Sequence, residues 1–443
     1  MNRRIFSAAA MVTLCTVLVK VVATGKEVVV ARAFGRSDAM DAFLVAQLVP
    51  TFFISILAIS MNQALVPTLV SVRRREGQEE AQKLFSSAML WSAALLTLGM
   101  MLLAVAAPLV VHLTASNFGS EKARLTLKLF YLLLPIILLS GIGSNCAAVL
   151  NTSGKFALPA LIPVLSPLFI CGAAAWFARG YGTWSISVAS VAGALAEALV
   201  LIWLLPRSGY RFDMRWFGLT QATKTVAHQY GFVLLAAILS SSCWLVDQSM
   251  AAMLKAGSVS ALVYGNRIVG AVGQLLVIAL ATSLTPHYSE MLAKRDWLQC
   301  RHTVRTYARL TFAATLPVTV ALVFCSHGLT RILYQRGAFR ADDTTVVALV
   351  QAMYALSLPF MASGRVYNRL IAAMNRNDII SIGGALNLVL DIVFNLLCMH
   401  YFGVAGIALS TSLFYVGSYL FNMVMAKRLL NRVLSQTVTD AVV

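Results

Sequence analysis

The chain has 443 residues, of which 59% are hydrophobic and only 12% charged, at a mean hydropathy of +0.79. Soluble domains carry about twice that charged fraction, so a water-soluble globular protein is excluded and an integral membrane protein is expected. The net charge of +18 does not call for a nucleic-acid partner, because the basic residues collect in short segments between apolar runs, where they set membrane orientation.

Apolar runs at or above the ~20 residues needed to cross the hydrocarbon core recur along the whole chain. They are expected at 5–32, 42–70, 84–113, 125–150, 157–178, 184–205, 229–254, 258–289, 308–330, 345–373, 379–400 and 404–426, twelve spans in all. The first run passes Lys20 and Lys26 without a small-residue cleavage site, so it is expected to be a retained helix and not a signal peptide. With the N-terminus inside, 19 of the 35 basic residues fall in cytoplasmic segments and 8 in outer ones, which places both termini in the cytoplasm. The seven cysteines show no CxxC pairing and the six histidines no metal-ligand spacing. Neither a disulfide framework nor a hydrolytic or redox centre is expected, and the chain is not read as an enzyme.

The two halves resemble each other. QALVPTLVSVRRR (63–75) aligns with ATSLTPHYSEMLAKR (281–295), setting Pro67 opposite Pro286. Leu134-Pro135 matches Leu358-Pro359, and AVLNTSGK (148–155) matches AAMNRNDI (372–379), at offsets of 219, 224 and 224 residues. Six spans per repeat keep both halves in one orientation. Two parallel six-helix bundles, 1–215 and 216–443, with the substrate route between them, are the expectation.

Several charges lie within the spans, where each costs roughly 2.5–3.5 kcal/mol on insertion scales. Span one carries Lys20, Lys26, Glu27 and Arg32. Lys20 and Glu27, seven apart, share a helix face and can compensate locally. Lys20 and Lys26 line an aqueous cavity, snorkel, or form a purely structural pair, and Arg32 lies near the outer end. Asp41 opens span two, as a functional acid or simply as a helix N-terminal residue. Arg267 lies deep in span eight among Gly265, Gly270 and Gly273, which permit close helix approach. Arg365 and Arg369 share one face of span ten. Lys20, Lys26 and Arg267 together suit a phosphate-bearing substrate, because ammonium and guanidinium groups give charge-assisted hydrogen bonds to phosphate oxygens. An acidic set lies elsewhere: Asp247 in mid-span, Asn387 and Asp391 four apart on one face, and Thr411 in the last span. Hard oxygen ligands suit a small cation or a proton; the alternative is that Asp391 pairs with a basic residue. Glu197 in span six stays unassigned.

KEVVVARAFGRSDAMDAFLVAQLVP (26–50), VLNTSGKFALPALIP (149–163), KAGSVSALVYGNRI (255–268) and YQRGAF (334–339) resemble the MurJ (MviN) lipid II flippases of the MOP exporter superfamily. The resemblance covers nearly the whole chain. It implies an all-α inverted V of two bundles around a cationic cavity. The implied activity is alternating-access flipping of an undecaprenyl-diphosphate-linked sugar–peptide, from the cytoplasmic to the periplasmic leaflet of the inner membrane. By position, Lys20 and Lys26 stand where the family has first-span arginines, and Asp41 and Arg267 match a functional acid and a cavity arginine. Asp247, Asn387, Asp391 and Thr411 resemble the sodium site of some members. The implied partners are the lipid-linked oligosaccharide diphosphate, membrane lipids and cell-envelope synthesis enzymes. No bound cofactor is implied; sodium, a proton or the membrane potential would drive the cycle. Lysine replaces arginine at both first-span positions, Ile54-Ser55 stand where paired arginines are usual, and Ile59-Ser60-Met61-Asn62-Gln63 stand where a GAFS-like run is usual. Other readings from the residues are a flippase for exopolysaccharide or O-antigen units, a MATE-type exporter, and a non-transporting membrane scaffold.

Overall fold

The computed structural model describes residues 2–153, 157–293, 296–374 and 376–442, and every regular element among them is helical. Of the basic residues counted above, Lys155, Lys294 and Arg295 lie outside the described residues.

In chain order the helices are α1 (Asn2–Phe34), α2 (Asp38–Arg75), α3 (Gln78–Thr114), α4 (Ser120–Leu133), α5 (Pro135–Thr152), α6 (Ala157–Leu161), α7 (Leu165–Trp176), α8 (Ala178–Tyr181) and α9 (Thr183–Leu204). The second half holds α10 (Gln221–Ala252), α11 (Ser258–Ala293), α12 (Trp297–Phe324), α13 (Ser326–Tyr334), α14 (Ala341–Ala355), α15 (Leu358–Ala373), α16 (Asn377–Phe402) and α17 (Val404–Val442). Every expected span coincides with a helix or a broken pair of helices. Among the described residues, nine stretches are long and apolar enough to cross a membrane. The remaining three expected spans are α1, α10 and α11, of 33, 32 and 36 residues. Side chains as large as Trp176 on α7 and Phe324 on α12 are 84% and 83% exposed, an arrangement that lipid covers and water does not.

The ninth span differs from expectation. It runs from Trp297 to Phe324, and Ser326–Tyr334 form a separate short helix in place of the expected extension to residue 330.

The repeat is visible in local structure. In the first half α4 stops at Leu133 and α5 starts at Pro135; in the second α14 stops at Ala355 and α15 starts at Leu358, with Pro359 in its first turn. Proline lacks the N–H that a continuous helix would need there but fits a helix's first turn, so the same residue breaks one span and restarts it in both halves. Span five is broken too, as α6, a 3₁₀ turn at Ile162–Val164 and α7. There the carboxylate of Glu197 on α9 accepts from the Ser166 N–H at 3.0 Å, satisfying a first-turn donor of α7 that has no helical partner. Gly193 lets the two helices close, since a Cβ there would lie 2.7 Å from Ser166 Cα. Glu197 thus has a structural role.

The chain forms two compact units: Met1–Ser260 with Arg336–Phe339, and Ala261–Gln335 with Arg340–Val443. The first unit includes α10, which packs along α2 through Ser55–Ser241 (3.2 Å) and the Tyr230 hydroxyl on Leu57 O (3.5 Å). Its core centres on Met61, Leu65, Phe85, Val149 and Tyr210. The second unit's core centres on Leu284, Tyr288, Val304, Val366 and Leu370.

Candidate functional site

Asp41 lies in the first turn of α2, one turn past Ser37, whose hydroxyl caps that helix by accepting from Met40 N at 3.2 Å. The Asp41 side chain does not simply complement the dipole of its own helix. It is 1% exposed and accepts from Gly257 N at 2.7 Å and from Ser260 N, in the first turn of α11, at 2.9 Å. A buried carboxylate at a helix N-terminus meets both orphan N–H donors and the positive end of the dipole. Lys122 of α4 supplies the counter-charge, 3.2 Å from Asp41 and 2.6 Å from Asp38, with its ammonium 3.9 Å from the centre of the Phe118 ring.

Around this carboxylate the backbone closes unusually tightly. Gly35, Gly257 and Gly337 all have positive φ (57°, 79° and 64°). A Cβ on any of them would collide with backbone oxygen: that of Ala338, of Arg36 and of Arg32 respectively. Ala338 N donates to Arg32 O at 2.9 Å, Arg36 Nε donates to Gly257 O at 3.0 Å, and Asn117 Nδ2 donates to Met253 O at 2.7 Å. Residues 32–41, 253–260 and 336–339 are thereby locked into one junction of the first unit. Three of the four blocks that carry the family resemblance contribute to it; part of the fourth, residues 154–156, lies outside the described residues.

Lys20 and Lys26 lie on α1, Lys20 exposed and Lys26 half-buried. Lys26 pairs with its neighbour Glu27 at 2.8 Å. Arg267 belongs to the second unit and is half-buried on α11. Two of the three glycines around it act as expected: a Cβ at Gly265 would lie 2.6 Å from Val350, and one at Gly273 2.8 Å from Met361, whereas Gly270 meets only Asn266 of its own helix at 3.6 Å. Arg365 is exposed and Arg369 half-buried on α15.

The acidic set divides between the units. Asp247, 3% exposed, is on α10 in the first; Asn387, Asp391 and Thr411 are in the second. On α16, Asn387, Asp391 and Asn395 stand at intervals of four and so share a face. Asp391 and Asn395 are fully buried, and the Asn387 side-chain oxygen is buried without a hydrogen-bond partner in the structure. The adjoining helix α17 brings the Ser410 hydroxyl to the Asp391 carbonyl oxygen at 3.2 Å, while the Thr411 hydroxyl bonds Ile407 O at 3.2 Å. Among the described residues, no group of three or more His, Cys, Asp or Glu is placed to hold a metal ion, so any cation here would rely on amide and hydroxyl oxygens beside one carboxylate.

Sequence reasoning missed Lys122, Asn395, and the Gly257 and Ser260 amides. Asn395 carried a signal, since it continues the Asn387–Asp391 spacing. The amides carried none, because a backbone donor has no side-chain signature.

The model of the lipid II flippase MurJ family matches residues 30–442. A probable lipid II flippase MurJ of Synechocystis is 24% identical over 455 residues, covering 97% of this chain and 82% of that protein. The lipid II flippase MurJ of Burkholderia cenocepacia is 27% identical over 375 residues, covering 80% of this chain and 70% of that protein. Among solved structures, a lipid II flippase MurJ in an inward closed conformation aligns with a TM-score of 0.80 at 22% identity, over 94% of this chain and 87% of that one. An inward-facing multidrug resistance MATE transporter of the MOP superfamily aligns with a TM-score of 0.77 at 12% identity, over 94% and 95%. These structural likenesses carry the fold alone: the chain shares the helical arrangement of those two proteins.

Proposed function

The chain belongs to the lipid II flippase MurJ family, and from that premise we propose that it carries a lipid II-class substrate, a polyprenyl-diphosphate-linked saccharide, from the inner to the outer leaflet by alternating access. The observation that carries this reading is the sign of the charge retained within the spans. Lys20, Lys26 and Arg267 are all cationic, and a diphosphate needs donors of that sign in a medium where unscreened attraction is strong. A carrier of organic cations would need the reverse. Lys26 keeps Glu27 as its resting partner at 2.8 Å, and a diphosphate would compete for that ammonium.

The Asp41 junction would serve as the closing element, and opening it would exchange its bonds to two backbone amides and one lysine for water. Both termini are read as cytoplasmic, which sets this junction at the outer end. Asn387, Asp391 and Thr411 would hold a small hard cation, and the unpartnered Asn387 oxygen suits that role. A cation bound there would supply a charge whose gradient drives the cycle.

The test is reconstitution of the purified chain in liposomes with lipid II, with an undecaprenyl-diphosphate O-antigen unit, and with a cationic drug. Translocation of lipid II is expected, lost in Lys26→Gln and retained in part in Lys26→Arg. Preference for the O-antigen unit would reassign the glycan, and the lysines standing in place of arginines favour testing that arm. Transport of the drug alone, or of nothing, would overturn the reading.

A further inference from the structure

One surface groove of the first unit has a wall on which every hydroxyl is already engaged. It lies between α3 and α10, lined by Leu84, Trp91, Trp216, Leu219 and Val226, and spans about 410 Å³ counted to its open mouth. Three hydroxyl residues also line it. The Ser87 hydroxyl accepts from Phe217 N at 3.2 Å, that of Thr223 bonds the Thr220 hydroxyl at 2.9 Å, and that of Tyr230 donates to Leu57 O. An occupant therefore meets an apolar surface, and Trp91, Trp216 and Leu219, at 42%, 44% and 68% exposed, need one.

The groove is built in advance. Its outer lip is the linker between α9 and α10, and α3 holds that linker through side chains. The Gln82 amide accepts from Arg211 N and donates to Arg211 O, both at 2.9 Å, and Gln78 donates to Gly209 O at 2.9 Å. Tyr210 is driven into the core against Phe85, ring centroids 5.7 Å apart, which pins the linker's base.

The rim is basic. Residues 205–224 carry Arg207, Arg211, Arg215 and Lys224 against the single acid Asp213. Arg215 pairs with Asp213 at 3.4 Å, and Arg207 stacks on Trp203 at 4.0 Å. Arg211 and Lys224 are exposed and make no ion pair among the described residues. Tryptophans with basic side chains at the end of membrane helices mark the headgroup level.

We propose that this groove holds one acyl chain of an anionic glycerophospholipid, with the phosphate against Arg211 and Lys224. The lipid fastens the α9–α10 linker to the leaflet. The site needs only that the chain spans a bilayer and is independent of what the chain transports.

Native mass spectrometry of the full chain in detergent, titrated with phosphatidylglycerol or phosphatidylcholine, tests this. One phosphatidylglycerol is expected to bind in preference to phosphatidylcholine. The double variant Arg211→Gln/Lys224→Gln, altered only at exposed side chains, is expected to weaken it roughly 30-fold, the effect of removing two charges beside an anionic headgroup. Ala227→Trp, which fills the groove, is expected to remove both lipids alike. Equal affinity for the two lipids, or an unchanged affinity for phosphatidylglycerol in the double variant, would overturn the proposal, whether or not Ala227→Trp folds.

Discussion

Asp41 is buried with two amide donors and one ammonium, so its charge and both oxygens are in use. Asp41→Asn keeps one acceptor but places an NH₂ against one N–H donor and removes one of the two carboxylate partners of Lys122. Hydrogen bonds to charged groups contribute about 1.5–3 kcal/mol, so a loss of about 2 kcal/mol is expected. Hydrogen exchange at the Gly257 and Ser260 amides is the direct check, and both should exchange faster in the variant. Unchanged protection would show that the carboxylate does not hold the turn. The glycines make a sharper contrast. Gly337→Ala places a Cβ against Arg32 O at a positive φ, whereas Gly180→Ala meets nothing within 4 Å at an ordinary φ. Thermal unfolding should fall markedly for the first and stay the same or rise slightly for the second. Asp41 was legible in the sequence as a charged residue at a helix start. Its partner was not, because the choice between its own dipole and the backbone of a turn more than 200 residues away depends on packing. The same holds for Lys26, whose 2.8 Å pairing with its neighbour Glu27 the helical spacing did not single out.

Among elements, the broken spans show how sequence chemistry becomes shape. Pro135 and Pro359 end one helix and start the next at equivalent points, and this was readable as a repeat before it was readable as a break. In span five the break exposes the Ser166 N–H inside an apolar layer, and Glu197 meets it at 3.0 Å. Glu197→Ala is expected to lower stability by about 1 kcal/mol, because that donor loses its acceptor while its side chain stays partly exposed. Glu197→Gln retains a carbonyl acceptor and should behave nearly as the parent in thermal unfolding. An equal loss in both would mean that charge, and not acceptor geometry, is the source. Helix positions were legible because an apolar run of span length admits little else. The separate α13 was not, since Ser326–Tyr334 continues the hydrophobic pattern of α12 and only its start at Cys325–Ser326 sets it apart. Nor was the bracing of the α9–α10 linker, where Gln78, Gln82 and Ser87 read as ordinary helix-surface residues until their partners some 130 positions away are seen.

For the whole molecule, two sets of intramembrane charge imply two separable losses of function. The cationic residues Lys20, Lys26 and Arg267 lie on α1 and α11, and the oxygen-bearing residues Asn387 and Asp391 on α16. If the first set binds the diphosphate, Arg267→Gln should abolish substrate translocation and leave the protein inserted and monodisperse, because the guanidinium is only half-buried and its removal opens no large cavity. If the second set binds the driving cation, Asp391→Asn should leave diphosphate binding intact while flattening the response of transport to an imposed sodium or proton gradient. Measuring substrate binding and gradient response separately in liposomes distinguishes the two. A variant of either set that loses both together would show that one site does both jobs. The division has a physical basis that composition alone conceals. A net charge of +18 averages over topology signals, a cationic set within the spans and a small acidic set, and only their positions along the helices separate them.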